Sequence, residues 1–84
     1  MGQRIVERSK RFNKALKHIK ERGLKVRIWK QIEKATENPE IGKPMQNVRK
    51  GTREVYVSPF RLSYAYIKDE DRLIFLDLYH KDEQ

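Results

Sequence analysis

The chain has 84 residues, no cysteine and a net charge of +8. That length fits a single domain over residues 1–84 with a limited core, and the missing cysteine excludes a disulfide framework or a thiolate metal site. The sequence pI of about 9.9 is the electrostatic footprint of a binder of nucleic acid or of an acidic protein; the plain alternative is a lysine-rich, solvated surface. No apolar run approaches the roughly 20 residues of a transmembrane helix. Met1-Gly2-Gln3-Arg4-Ile5 lacks a signal peptide's apolar segment, so the cytoplasm is the expected location and no membrane partner is expected.

In chain order, Arg4 to Glu7 reads as a short first strand. Ser9 is a plausible N-cap. After it, Phe12, Ala15, Leu16 and Ile19 form the apolar stripe of an amphipathic helix, with Lys10, Lys14, Lys17 and Lys20 on the opposite face. Gly23 is the expected stop. A second helix is predicted from near Leu24. Leu24, Ile28, Ile32 and Ala35 form its core stripe, widened by Val26 and Trp29. It ends by Asn38, because Pro39 disfavours helical geometry in the residue before it. Two helices joined at one glycine make an αα-hairpin.

Residues Asn38 to Pro44 form a loop by composition. Met45 to Val48 is a weak strand candidate, and Arg53 to Val57 alternates. Phe60 to Ile67 alternates clearly, with Leu62, Tyr64 and Tyr66 on one face and Arg61, Ser63 and Ala65 on the other. After a turn at Lys68 to Asp71, Leu73 to Tyr79 is almost continuously apolar, as for a central strand. If Ile74, Leu76 and Leu78 face the helices with Leu62 and Tyr64, the other sheet face holds Glu54, Tyr56, Arg61, Ser63, Asp77, Tyr79 and Lys81. His80 falls at the strand end, where twist can turn it to either side. The fold class is α+β: an N-terminal helical hairpin packed on a mostly antiparallel four-stranded sheet.

The order of these pieces resembles the RelE/ParE toxin superfamily of type II toxin–antitoxin modules. A helical hairpin, an Asn-Pro turn, Gly42-Lys43-Pro44, Arg49-Lys50-Gly51, Phe60-Arg61-Leu62-Ser63-Tyr64 and a closing Tyr79-His80-Lys81 carry the likeness. The aromatic-Arg-Leu-x-Tyr element is the most specific of them. The resemblance implies a toxin held by an acidic antitoxin. RelE-like and YoeB-like members are endoribonucleases that cut messenger RNA in the ribosomal A site without a metal or other cofactor. There the RNA's own 2′-hydroxyl attacks the adjacent phosphate. ParE-like members share the fold and inhibit DNA gyrase instead.

Such an attack needs a proton acceptor, a stabiliser of the phosphorane charge and a proton donor to the leaving 5′-oxygen. Arg61 matches the arginine set against the scissile phosphate; guanidinium is permanently charged and forks onto phosphate oxygens. The structural alternative is an Arg paired with Asp77 or Glu54. His80 matches the near-terminal histidine that resembles a general acid in YoeB-like toxins, or it simply caps a strand. Lys81 falls where RelE-like members carry a basic residue. His18, among helix lysines, reads as solvated.

The chain departs from the pattern in two places. Glu54 and Tyr56 stand where RelE-like ribonucleases carry basic residues, and Met45 stands where YoeB-like enzymes carry a glutamate. Glu54 is then the candidate proton acceptor. Tyr79 or Tyr56 is the candidate to stack on a base. Lys43, Arg49, Lys50 and Arg53 form a basic cluster suited to RNA, of the kind that positions without reading sequence. Two readings stay open: a ribosome-dependent messenger RNA endonuclease, or a non-catalytic binder of the ParE type.

Overall fold

The chain runs β1 (Ile5–Arg8), α1 (Lys10–His18), α2 (Arg22–Glu37), β2 (Lys43–Pro44), β3 (Thr52–Val57), β4 (Phe60–Ile67) and β5 (Arg72–His80). Short 3₁₀ turns follow β4, at Lys68–Glu70, and β5, at Lys81–Glu83. This is a computed structural model that describes residues 4–45 and 51–83. Among these residues one five-stranded sheet is ordered β1-β5-β4-β3-β2. Its pairs are antiparallel except β1 against β5. The expected four-stranded sheet therefore gains an outer strand, β1, which docks parallel beside β5 and leaves β4 at the centre. Among the described residues, strand pairing before β3 falls at Lys43–Pro44, just ahead of the expected Met45 to Val48. Met45 continues it with one bond, its N–H donating to Thr52 O at 3.1 Å; residues 46–48 lie outside the described residues.

The helical stripes pack on one face of the sheet. Phe12, Leu16, Ile19, Leu24, Ile28, Ile32 and Ala35 are buried with Val57, Leu62, Tyr64, Leu73, Phe75 and Leu78. Phe75 sits at the centre, its ring stacked on Phe12 at 5.4 Å and tilted against Tyr64 at 5.9 Å. Trp29 and Val26, expected to widen the core, lie outside it at 39% and 48% exposure. They flank the buried stripe on the solvent side, and Trp29 instead lies under the Arg8 guanidinium, 5.6 Å from its ring centre. Gly23 does not end the first helix. The chain breaks at Ile19, which turns extended to bury its side chain, and Glu21 caps α2 by accepting from Leu24 N. Gly23 then lies in the first turn of α2.

The parity of β5 also differs from strict alternation. Leu73 and Phe75 are inward where Ile74 and Leu76 were expected, while Leu78 is inward as expected. The register explains it: Tyr64 pairs with Phe75 but Ser63 pairs with Asp77, so Leu76 has no opposite number. That is a β-bulge, which takes up one extra residue and exchanges the faces beyond it. Ser9 secures it from the helix layer. Its N–H donates to Phe75 O at 2.9 Å, its hydroxyl donates to Leu76 O at 2.6 Å, and its Oγ accepts from Phe12 N at 2.9 Å. One serine thus caps α1 and holds the bulged backbone. Without the bulge, Asp77 and Tyr79 would point into the core.

Two latches fix the sheet's surroundings. Tyr64, fully buried, donates its hydroxyl to Pro39 O at 2.8 Å and accepts from Gly42 N at 2.9 Å, which ties the loop before β2 to the core. Burial pushes the phenol's pKa upward. A Cβ on Gly42 would fall 2.6 Å from that hydroxyl and 3.1 Å from Arg53 Cβ. Gly42→Ala is therefore expected to cost about 1–3 kcal/mol through overpacking. In a urea-denaturation double-mutant cycle, much of that cost should vanish in the Tyr64→Phe background, which removes the clashing oxygen. Strict additivity would refute the contact.

At the far end, Arg4 Nε donates to Asp71 Oδ1 at 2.8 Å and its Nη1 donates to the carbonyl of Thr36 at the end of α2. Tyr66 donates to the same Asp71 oxygen at 2.8 Å. The Arg4 hydrogen bond, and after it that of Tyr66, hold the Asp71 carboxyl below its ordinary range. These contacts favour the ionised form. They contribute at neutral pH and are lost as pH falls through the lowered pKa.

Candidate functional site

The sheet face opposite the helices is assembled by register. Across β3, β4 and β5 it carries Tyr56, Arg61 and Tyr79 in one row, and Glu54, Ser63 and Asp77 in the next. Lys43 on β2 pairs beside Glu54. Lys43, Glu54, Tyr56, Arg61 and Lys81 line a cleft of about 390 Å³. Three cations surround one carboxylate there, so the cleft suits an anion.

Glu54 is the hub of the cleft. Arg61 Nη1 donates to Glu54 Oε1 at 3.0 Å, and the Tyr79 hydroxyl donates to Glu54 Oε2 at 2.6 Å. The Arg61 guanidinium also lies over the Tyr56 ring, 6.0 Å from its centre. Arg61 Nε is buried and has no hydrogen-bond partner among the described residues. A buried donor left unpaired costs about 1–3 kcal/mol, and such a group is what an incoming anionic oxygen would satisfy. The ion pair with Glu54 is the structural alternative named from the sequence. It exists, and it leaves Arg61 with donors to spare.

Burial, and after it the hydrogen bond and charge of Glu54, push the Tyr79 phenol from 10.0 up to about 12. The protonated form is favoured in the fold. That contribution is fully present below 10 and is lost as pH climbs through the raised value. Titrating tyrosinate absorbance in the wild type and in Tyr79→Phe checks this. The difference between the two curves should stay flat through pH 10 and rise only toward 12. A difference step centred at 10 would contradict the hydrogen bond.

The other sequence candidates divide. Tyr56 lines the cleft and, at 52% exposure, offers an open ring. Lys43 and Lys81 line it too. His80 does not. By register it pairs with Phe60 on the helix side, with its ring edge-on to Phe60 at 5.5 Å and Nδ1 accepting from Asp82 N at 3.2 Å. Arg53 also faces the helix side. It donates to the carbonyls of Gly42 at 2.7 Å and Glu40 at 3.2 Å, bracing the loop before β2. Arg49 and Lys50 lie outside the described residues. Reading the sequence assigned Tyr79 to base stacking and missed its bond to Glu54. No sequence signal gives that bond: counted from the Ile67–Arg72 pair at the turn, Arg61 falls opposite Leu78, and only the bulge at Leu76 sets Tyr79 beside it.

The ParE toxin family, described as the ParE toxin of a type II toxin–antitoxin system, matches residues 6–84. The chain belongs to this family. The toxin's fold is shared by solved relatives. The isolated RelE toxin of E. coli superposes with a TM-score of 0.80 at 13% identity, covering 96% of this chain and 87% of that one. The RelB-RelE antitoxin–toxin complex from Methanococcus jannaschii gives 0.73 at 22% identity, with 92% of each chain covered. A metal-bound toxin from Helicobacter pylori gives 0.70 at 25% identity, covering 96% of this toxin and 98% of that chain. The comparison with curated protein sequences finds no match. No helix among the toxin's described residues is long and apolar enough to cross a membrane.

Proposed function

We propose that this toxin is a ribosome-dependent messenger RNA endonuclease that needs no metal. The observation that carries the reading is the Arg61–Glu54 pair, 3.0 Å apart, in a cleft that Lys43 and Lys81 also line. A transesterification needs a base beside a phosphate clamp, and this pair supplies both. Glu54 accepts the proton of the attacking 2′-hydroxyl. Arg61 stabilises the charge that grows on the phosphorane oxygens, where preorganised cations contribute most. Lys43 and Lys81 add to the field, and Tyr56 offers a ring on which a base can stack. The chain's excess positive charge supports docking on ribosomal RNA in the cytoplasm. Arg49, Lys50 and the lysines of α1 are candidates for that contact.

An antitoxin is the second proposed partner. Solved relatives include RelE toxins in complex with RelB antitoxins, and a net charge of +8 fits an acidic one. A different reading is favoured by one observation: the matching family is that of ParE. On that reading the open face binds DNA gyrase, and Glu54 merely neutralises Arg61. Primer extension on messenger RNA from translating ribosomes separates them. New 5′ ends at A-site codons on addition of the purified toxin support the nuclease. Growth arrest with intact messenger and inhibited supercoiling supports the gyrase reading.

A further inference from the structure

The cleft has a proton acceptor but no histidine, because His80 lies on the other side of the sheet. Something else must protonate the departing 5′-oxygen. Arg61 cannot, since guanidinium does not give up its proton in proteins. The titratable and charged groups that face Glu54 and Tyr79 are Lys43 from β2, Arg61 from β4, Asp77 from β5 and Lys81 from the turn after β5. Of the proton donors among them, neither lysine is hydrogen-bonded to Glu54 among the described residues. Tyr79 is, at 2.6 Å.

Resting on the ribonuclease reading above, we propose that Tyr79 is the general acid of the cleavage and forms a closed proton circuit with Glu54. The 2′-hydroxyl passes its proton to Glu54 as the bond from O2′ to phosphorus forms. The bond from phosphorus to O5′ breaks, and O5′ takes the proton of the Tyr79 hydroxyl. The protonated Glu54 then returns a proton to the tyrosinate across their shared hydrogen bond. The products are a 2′,3′-cyclic phosphate and a 5′-hydroxyl. Both side chains end as they began, so nothing is consumed. Attacking and leaving oxygens sit on either side of one phosphorus atom, so an acid and a base joined by a single hydrogen bond can span them. The bulge at Leu76 is what makes this possible, because it turns Tyr79 from the core to the open face.

The test uses two messenger RNAs on programmed ribosomes: one all-oxygen, one with sulfur replacing the leaving O5′. A thiolate leaves without being protonated. Tyr79→Phe should slow single-turnover cleavage of the oxygen substrate by roughly 100-fold or more, yet cleave the sulfur substrate within a few-fold of wild type. Glu54→Gln should slow both, because the attacking hydroxyl is unchanged. Equal losses for Tyr79→Phe on the two substrates would mean that Tyr79 only positions Glu54, and would overturn the proposal. So would no loss on either, or sulfur rescue of Lys43→Gln or Lys81→Gln instead. If the wild type cleaves neither substrate, the ribonuclease reading itself falls.

Discussion

Replacing Arg61 with alanine is expected to slow messenger cleavage on ribosomes by about 100-fold or more, the scale of losing one preorganised stabiliser. On the nuclease reading, the additional charge that Arg61 meets grows only in the transition state, so the loss should appear in single-turnover rate. Ribosome binding should fall far less, since many other cations contribute to it. The structure adds a second consequence. Arg61 donates to Glu54 at 3.0 Å, so the variant also frees the carboxylate from one of its two holders. Arg61→Lys should recover only part of the rate, because an ammonium keeps the charge but not the planar fork. Parallel rate and binding measurements decide the matter: equal losses in both would mean that Arg61 is only a docking cation.

The largest stability effect is expected at Phe75. Its ring is fully buried between Phe12 and Tyr64. Phe75→Ala should cost about 3–5 kcal/mol, a large share of what holds a small domain together. Leu76→Ala, at the bulge and only half-buried, should cost nearer about 1 kcal/mol. Urea denaturation of both variants measures the difference. The reverse order would mean that Leu76 rather than Phe75 faces the helices, and would refute the bulge between them and Asp77.

That pair of residues marks where the sequence stopped being legible. The helical stripes could be read because Phe12, Leu16, Ile28 and Ile32 recur at the helical period and nothing competes with that signal. The β3 and β4 faces could be read because both strands alternate. β5 could not, since Leu73 to Tyr79 is apolar at nearly every position and so carries no period to betray a bulge. The family resemblance supplied Arg61 and the fold, but it also carried His80 as an acid. The fate of His80 depends on the last residue of a strand, where one position decides the face. Arg53 illustrates the same limit. It belongs to the basic cluster by sequence, yet it serves the loop carbonyls of Glu40 and Gly42, a backbone need that composition does not reveal. Trp29, large and apolar, reads as core, but it borders the buried stripe under Arg8.

On the proposed reading, the Arg61–Glu54–Tyr79 face performs a 2′-hydroxyl attack on ribosome-bound messenger. The chemistry of the fragment ends tests it most directly. Messenger cut by the purified toxin on translating ribosomes should yield upstream fragments ending in a 2′,3′-cyclic phosphate. The downstream fragments should begin with a 5′-hydroxyl that a kinase labels without prior phosphatase. Neither product should form with Arg61→Ala at comparable times. Downstream fragments carrying 5′-phosphates, or full toxicity with intact messenger in both wild type and variant, would contradict the account.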